Sequence, residues 1–178
     1  MKKPKLERGY IQVYTGDGKG KTTAALGLAF RALGNGFRVF MGQFMKGQSY
    51  GELKLARQFG DRFVIEQYGK PTFVHVDHPE PEDVEMARQG LARLREIILS
   101  GEYDIVIMDE VNVALYFGLI EIQDVLAILD EKPLHVEVIC TGRRAPQELV
   151  DRADLVTEMR EIKHYYTRGV PARSGIEK

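Results

Sequence analysis

Apolar and polar positions along the chain switch repeatedly between a strand-like and a helix-like period. "GYIQVYT" (9–15) is a short, largely apolar run that reads as a strand, followed by a glycine-rich turn. "KTTAALGLAFRALGNG" (21–36) reads as a helix stopped by Gly-Asn-Gly. "FRVFMGQF" (37–44) is a second strand, followed by a polar loop and a short helix near 51–59; "RFVIEQY" (62–68) is a third strand. Residues 69–81 carry three prolines, two histidines and no period, so they read as a loop. From Glu82 to Ser100, Val84, Ala87, Leu91, Leu94 and Ile98 recur at three- and four-residue spacings and predict one buried helix face. "YDIVIMDE" (103–110) is a nearly continuous apolar strand that ends in two acids. "IQDVLAILDEK" (122–132) predicts a helix, "HVEVICTG" (135–142) a strand, "APQELVDRA" (145–153) a short helix and "DLVTEMR" (154–160) a last strand. The tail after 160 shows no clear period.

Strands separated by helices require crossover connections. The expected fold is therefore α/β, with a mainly parallel sheet covered on both faces. At 178 residues the chain suits one domain with one large core. A net charge of −1 removes the strong electrostatic case for a nucleic-acid or membrane-surface binder. No run approaches the ~18 apolar residues of a membrane span, and the basic start "MKKPKLERGY" has no apolar stretch behind it, as a secretory signal would. A cytoplasmic location is the default expectation. The single cysteine, Cys140, sits in the apolar run "VEVICTG" and reads as a small core residue rather than a nucleophile.

The chemistry begins at "QVYTGDGKGKTTAALG" (12–27). The usual phosphate loop is G-x-x-x-x-G-K-[ST], between a strand and a helix. Aligned on Gly20-Lys21-Thr22, this chain has Thr15 where the first glycine belongs. Gly16, Gly18 and Gly20 still permit a tight turn, and the start of the following helix favours an anion. Lys21 is placed to reach outer phosphates and Thr22 to offer a hydroxyl to Mg²⁺; Lys19 adds a second cation inside the loop. The motif predicts a nucleotide and is silent on the reaction.

Asp109 and Glu110 fall at the carboxyl end of a buried strand, where ligands of open parallel sheets bind. A generic ATPase reading makes Asp109 the Mg²⁺ partner and Glu110 the base that activates water. The competing structural reading makes Asp109 the N-cap of a helix starting near Val111. Three lesser candidates remain. "HVDH" (75–78) pairs His75 and His78 around Asp77 and reads as loop packing rather than a metal site. "TGRR" (141–144) either turns Arg143 towards a triphosphate or is a solvated turn. Tyr165 and Tyr166 either pack the tail down or touch a ligand.

"TGDGKGKTTAALGLAFRALGNG", "VFMGQFMKG", "YDIVIMDEVNVAL", "VICTGR" and "IKHYYTRGVPARSGIE" occur in this order. From about Gly9 to Glu177 the chain resembles the CobA/BtuR/CobO family of ATP:corrinoid adenosyltransferases. The loop "TGDGKGKTT" and the tail pattern "GVxAxxGIE" are the most specific marks. The resemblance implies a single P-loop, RecA-like domain over 9–178, preceded by a short segment, 1–8. It implies transfer of the 5′-deoxyadenosyl group of ATP to the cobalt of a reduced corrinoid, with tripolyphosphate released. The ATP of such enzymes lies in an unusual orientation, which fits the altered loop entry. Carried over by position, Gly16, Asp17, Gly18, Lys19, Gly20, Lys21, Thr22 and Thr23 form the ATP loop. Thr22 and Glu110 hold Mg²⁺ with Asp109 in support, and Arg143 contacts phosphate. A flavoprotein electron donor and a homodimer are also implied.

Two departures stand out. Relatives place a Phe-Thr-Trp stretch after the third strand to wedge against the corrin. This chain has no tryptophan, and Phe73 in "GKPTFVHVDH" is the nearest counterpart. Some relatives also carry a longer N-terminal segment that covers the site; only eight residues precede Gly9 here, so closure of the site is expected to differ. The rival readings are a phosphotransferase or ATPase, with Glu110 as base, and a nucleotide-gated binding module. The thymidine-kinase branch is disfavoured because its four zinc-lobe cysteines are missing.

Overall fold

A computed structural model describes residues 6–71 and 79–177. Phe73 and the His75, Asp77, His78 group lie outside the described residues. The elements run β1 (Ile11–Thr15), α1 (Lys21–Gly34), β2 (Val39–Phe44), α2 (Gly51–Ala56), β3 (Phe63–Tyr68), α3 (Pro81–Ser100), β4 (Ile105–Asp109), α4 (Val111–Tyr116), α5 (Ile122–Glu131), β5 (Glu137–Thr141), α6 (Gln147–Arg152) and β6 (Leu155–Glu158). Short 3₁₀ turns cover Arg57–Arg62 and Tyr165–Arg168.

The sheet order is β3-β2-β4-β5-β1-β6, and every neighbouring pair is parallel. Alternate residues of each strand serve opposite faces. Met41, Ile107 and Ile139 pack beneath α1 and α2 through Ala25, Ala29, Leu33 and Ala56. Phe40, Val106 and Val138 pack on the other face against Leu94 and Ile98 of α3, Val125 and Leu129 of α5, and Leu149 of α6. Each large side chain buried this way contributes about 1.5–3 kcal/mol of transfer free energy. Ala25, Ala29 and Ala32 make most of the buried face of α1, which lets that helix lie close to the sheet.

This topology places the site. The β1-to-β2 crossover runs over β5 and β4 towards one edge, whereas the chain moves from β4 through β5 to β6 at the other edge. Right-handed crossovers then put α1 and α3 on opposite faces. The carboxyl ends of β1, β4 and β5 open between these diverging connections, as such sheets require of a ligand crevice.

The predicted elements all form, with shifted ends. The strands begin about two residues later than the apolar runs at β1, β2, β4 and β5. The helix near 51–59 is α2 followed by a 3₁₀ turn, broken where Gly60 takes φ 57°. α3 starts at Pro81 because Glu80 and Asp83 form a reciprocal capping box. One reading is corrected: Asp109 does not cap α4. The N-cap is Glu110, held left-handed at φ 60° with no side-chain cap bond. Among the described residues, no helix is long and apolar enough to cross a membrane.

Candidate active site

The phosphate loop connects the end of β1 to the start of α1, and its glycines answer to a neighbour rather than to turning alone. A Cβ on Gly16 would lie 2.4 Å from the Met159 carbonyl oxygen, and one on Gly18 would lie 2.7 Å from it. The Gly18 N–H donates to that same oxygen at 2.7 Å. The chain leaving β6 thus lies directly against the loop. Gly16 has the further requirement of φ 96°. Thr15, which replaces the usual first glycine, has a role of its own. It ends β1, and its hydroxyl accepts from the Ala145 N–H at 3.2 Å, tying the loop to the connection after β5.

Lys21 folds back on the loop, with Nζ donating to the carbonyls of Gly16 and Gly18 at 2.7 Å each. Burial pulls its pKa below the ordinary lysine value; Glu110 opposes this and Arg143 adds to it.

Asp109 is the buried hub of the site, with no exposed surface. Its Oδ1 accepts from Thr22 Oγ1 and Thr141 Oγ1, both at 2.8 Å. Its Oδ2 accepts from Lys46 Nζ at 2.7 Å and Gln43 Nε2 at 3.2 Å. A carboxylate offers about four lone-pair sites, so all are engaged. Four separate segments, α1, β5, β2 and the loop after β2, are thereby fixed to the end of β4. Burial works against the charge on Lys46, but the charge and hydrogen bond of Asp109 raise its pKa above the ordinary value. Lys46 also lies 5.1 Å from the ring centre of Tyr50.

Glu110 is different. Its N–H donates to Thr141 Oγ1 at 3.1 Å, and its side chain faces the loop cavity. Burial raises its pKa, Asp109 adds to the rise, and Lys46, Lys21 and Arg143 oppose it. The two arginines of "TGRR" separate. Gly142 at φ 133° and Arg144 at φ 55° turn the backbone, and Arg144 stacks on Tyr116, 4.5 Å from its ring centre. Arg143 is left facing the cavity with Lys19 and Lys21.

The cavity over the phosphate loop has a volume of about 290 Å³. A second chamber of about 540 Å³ adjoins it, with an apolar wall from Leu26, Phe30, Leu55, Phe59 and Phe63. Thr22, Thr23 and Glu110 line both. The arrangement offers a loop end where Lys19, Lys21 and Arg143 can meet a polyphosphate and where Asp17, Glu110 and Glu177 also line the wall, with an apolar end beside it.

Residues 7–177 match the family model described as ATP:corrinoid adenosyltransferase BtuR/CobO/CobP. The chain belongs to this family. Curated corrinoid adenosyltransferases agree across nearly the whole chain. The one from Sinorhizobium is 38% identical over 174 residues, covering 96% of this chain and 81% of its own. That from Escherichia coli K12 is 35% identical over 172 residues, covering 96% and 86%. Among solved structures, the flagellar accessory protein FlaH of Methanocaldococcus jannaschii has a TM-score of 0.58 at 14% identity, covering 86% of this chain and 72% of its own. The RadB recombinase has 0.53 at 17%, covering 89% and 78%. These two likenesses show the P-loop, RecA-like fold of this adenosyltransferase-family chain.

The structure brings Asp17, Gly18, Lys19, Gly20, Lys21, Thr22, Thr23, Glu110 and Arg143 to one cavity. Gly16 supports the loop from behind, and Asp109 lies beneath it. Lys46, Gln43 and Thr141 are site residues that the motif reading passed over. Gln43 left a signal: it is a polar residue in a strand that is buried along its whole length.

Proposed function

We propose that this adenosyltransferase-family chain opens ATP at C5′. The Co(I) electron pair of a reduced corrinoid forms the Co–C5′ bond, and the C5′–O bond breaks. Its electrons leave with the triphosphate, giving adenosylcorrinoid and tripolyphosphate. The observation that carries this reading is the paired chambers: a pocket over the phosphate loop, where Lys19, Lys21 and Arg143 converge beside the acids Asp17, Glu110 and Glu177, opens onto a larger, partly apolar one that meets it at Thr22 and Glu110.

Co(I) carries no proton, so the reaction needs no general base. That agrees with Asp109, whose oxygens are all engaged by donors. The requirement is stabilisation of the charge that develops on the leaving triphosphate. Preorganised cations and N–H groups do this best in a site shielded from water. Lys19, Lys21 and Arg143 supply the charge. Lys21 exchanges its loop carbonyls for phosphate oxygens, and Asp109 keeps Thr22 and Lys46 in place. Alignment of cobalt with C5′ provides much of the remaining rate.

Magnesium fits the donor set. Thr22 and Glu110 present hard oxygens to the same cavity, and Glu110 is a half-buried acid facing cations whose side chain makes no cap bond. A Mg²⁺ held by these two residues would neutralise part of the triphosphate charge, with Asp109 positioning Thr22 from behind.

The test is an anaerobic assay with MgATP and chemically reduced cobalamin. Loss of the Co(I) spectrum with a light-sensitive product supports the proposal. Unchanged Co(I) with both cobalamin and an incomplete corrinoid rejects it. Release of ADP instead would favour the phosphotransferase alternative, with Glu110 as base.

A further inference from the structure

The C-terminal tail carries one of the two most specific sequence patterns of the family resemblance, "GVxAxxGIE". In the structure it reaches the active site. Ile176 and Glu177 line both chambers, and His164 lines the smaller one. Among the described residues, five border both chambers; of these Thr22, Thr23, Glu110 and Glu177 are polar, and Ile176 alone is apolar. Ile176 is 55% exposed, so an apolar side chain stands uncovered at the seam.

The tail is shaped to hold it there. The Glu177 carboxylate accepts from the Arg173 N–H at 2.8 Å, from Arg173 Nη2 at 3.1 Å and from the Tyr165 hydroxyl. Arg173 also lies over the Tyr165 ring, 5.0 Å from its centre. The 3₁₀ turn at Tyr165–Arg168 ends at Gly169, φ 81°, and brings Tyr165 back towards the last residues. Arg173 and Tyr165 line neither chamber. They act on the site only through the residues they hold.

We infer that Ile176 is a positioning residue for the nucleoside end of ATP, and that Arg173 and Tyr165 hold it at the seam through Glu177. This rests on the proposed reading of ATP as the adenosyl donor. The polyphosphate occupies the smaller chamber over the phosphate loop, beside Lys19, Lys21 and Arg143, so the first apolar atoms of the nucleotide, at C5′ and the ribose, fall at the seam. Ile176 covers them and loses its own exposure to water as it does so. The residue discriminates between ATP and a bare polyphosphate, and helps bias release towards the cleaved product.

Calorimetric binding of MgATP and of magnesium tripolyphosphate to the full chain, without corrinoid, tests this. Ile176→Ala should weaken ATP roughly tenfold, as expected for one lost apolar contact, and leave tripolyphosphate within about twofold. Arg173→Ala, a surface change that should not prevent folding, should produce the same selective loss; Ile176→Val should restore most of the ATP affinity. Lys21→Ala, by contrast, should weaken both ligands. Equal weakening of both by Ile176→Ala and Arg173→Ala, or no change in either, overturns the inference. The comparison does not use the transfer reaction. Absence of adenosyl transfer by the unmodified chain would therefore count against the proposed function while the binding comparison still decides the role of Ile176.

Discussion

Thr22 at the start of α1 donates its hydroxyl to Asp109 at the end of β4, 2.8 Å away and 87 residues along the chain. The bond joins the phosphate loop to the acid pair and makes them one rigid unit. Lys46 completes it from the loop after β2. The site is therefore organised before any ligand arrives, with a buried ion pair as its cost.

That cost is measurable. Lys46→Met leaves Asp109 buried with no cation beside it. Breaking such a pair from one side typically costs about 3–5 kcal/mol. We expect urea unfolding to show a loss near the lower end, because Thr22, Thr141 and Gln43 still donate. Lys46→Met combined with Asp109→Asn should recover part of the loss, since no uncompensated charge remains.

Glycine at position 18 is set by the backbone of Met159. Gly18→Ala would put a methyl 2.7 Å from that carbonyl oxygen and 2.8 Å from the Arg160 carbonyl carbon. Neither can yield as a flexible side chain would. The expected result is a stability loss of about 1–3 kcal/mol, together with at least a tenfold weaker MgATP affinity by calorimetry.

How much of this was legible beforehand follows from contact range. The strand–loop–helix unit of residues 11–34 is local: its period, glycines and stop signal lie within one stretch, and the fold class followed from alternation of such stretches. The Asp109 hub is not local. Its partners lie at 22, 43, 46 and 141, and only Thr22 sits in a motif that assigns it a chemical role; Gln43, Lys46 and Thr141 lie in stretches that mark the family resemblance without one. In the sequence the carboxylate reads as a metal ligand, a cap or both, and its role as a hub shows only once those donors are placed around it. The tail failed for a different reason. Its order comes from Tyr165, Arg173 and Glu177 binding one another, and such side-chain pairing leaves no period. The β6 exit against Gly16 and Gly18 was hidden likewise, because backbone contacts carry no residue signature.

Glu110→Gln should separate metal use from folding. The change removes a half-buried charge beside Asp109 and keeps the size of the side chain, so the unfolding midpoint should stay the same or rise. Adenosyl transfer should fall at least a hundredfold at fixed Mg²⁺, an order of magnitude in line with the loss of a charge-stabilising group. An Mg²⁺ titration of the transfer rate would check it, with saturation displaced to higher metal concentration.

Cys140 should be chemically silent. It is fully buried on β5, and burial pushes its thiol up to about 12. At pH 8 roughly one molecule in ten thousand would then carry the thiolate, the reactive form. Native protein should resist a chromogenic disulfide reagent for hours and react stoichiometrically once unfolded in guanidinium. Rapid labelling of the native chain would show that β5 opens far more readily than its central place in the sheet implies.

The bond broken in ATP tests the account most directly. Phosphorus NMR of the products, after anaerobic turnover with reduced cobalamin, distinguishes cleavage at C5′ from cleavage within the phosphate chain. Tripolyphosphate, formed in equal amount to the light-sensitive cobalt–carbon product, is the predicted result. ADP and inorganic phosphate with the cobalt still reduced would contradict it, and would turn the same loop, lysines and Glu110 into the machinery of phosphoryl transfer.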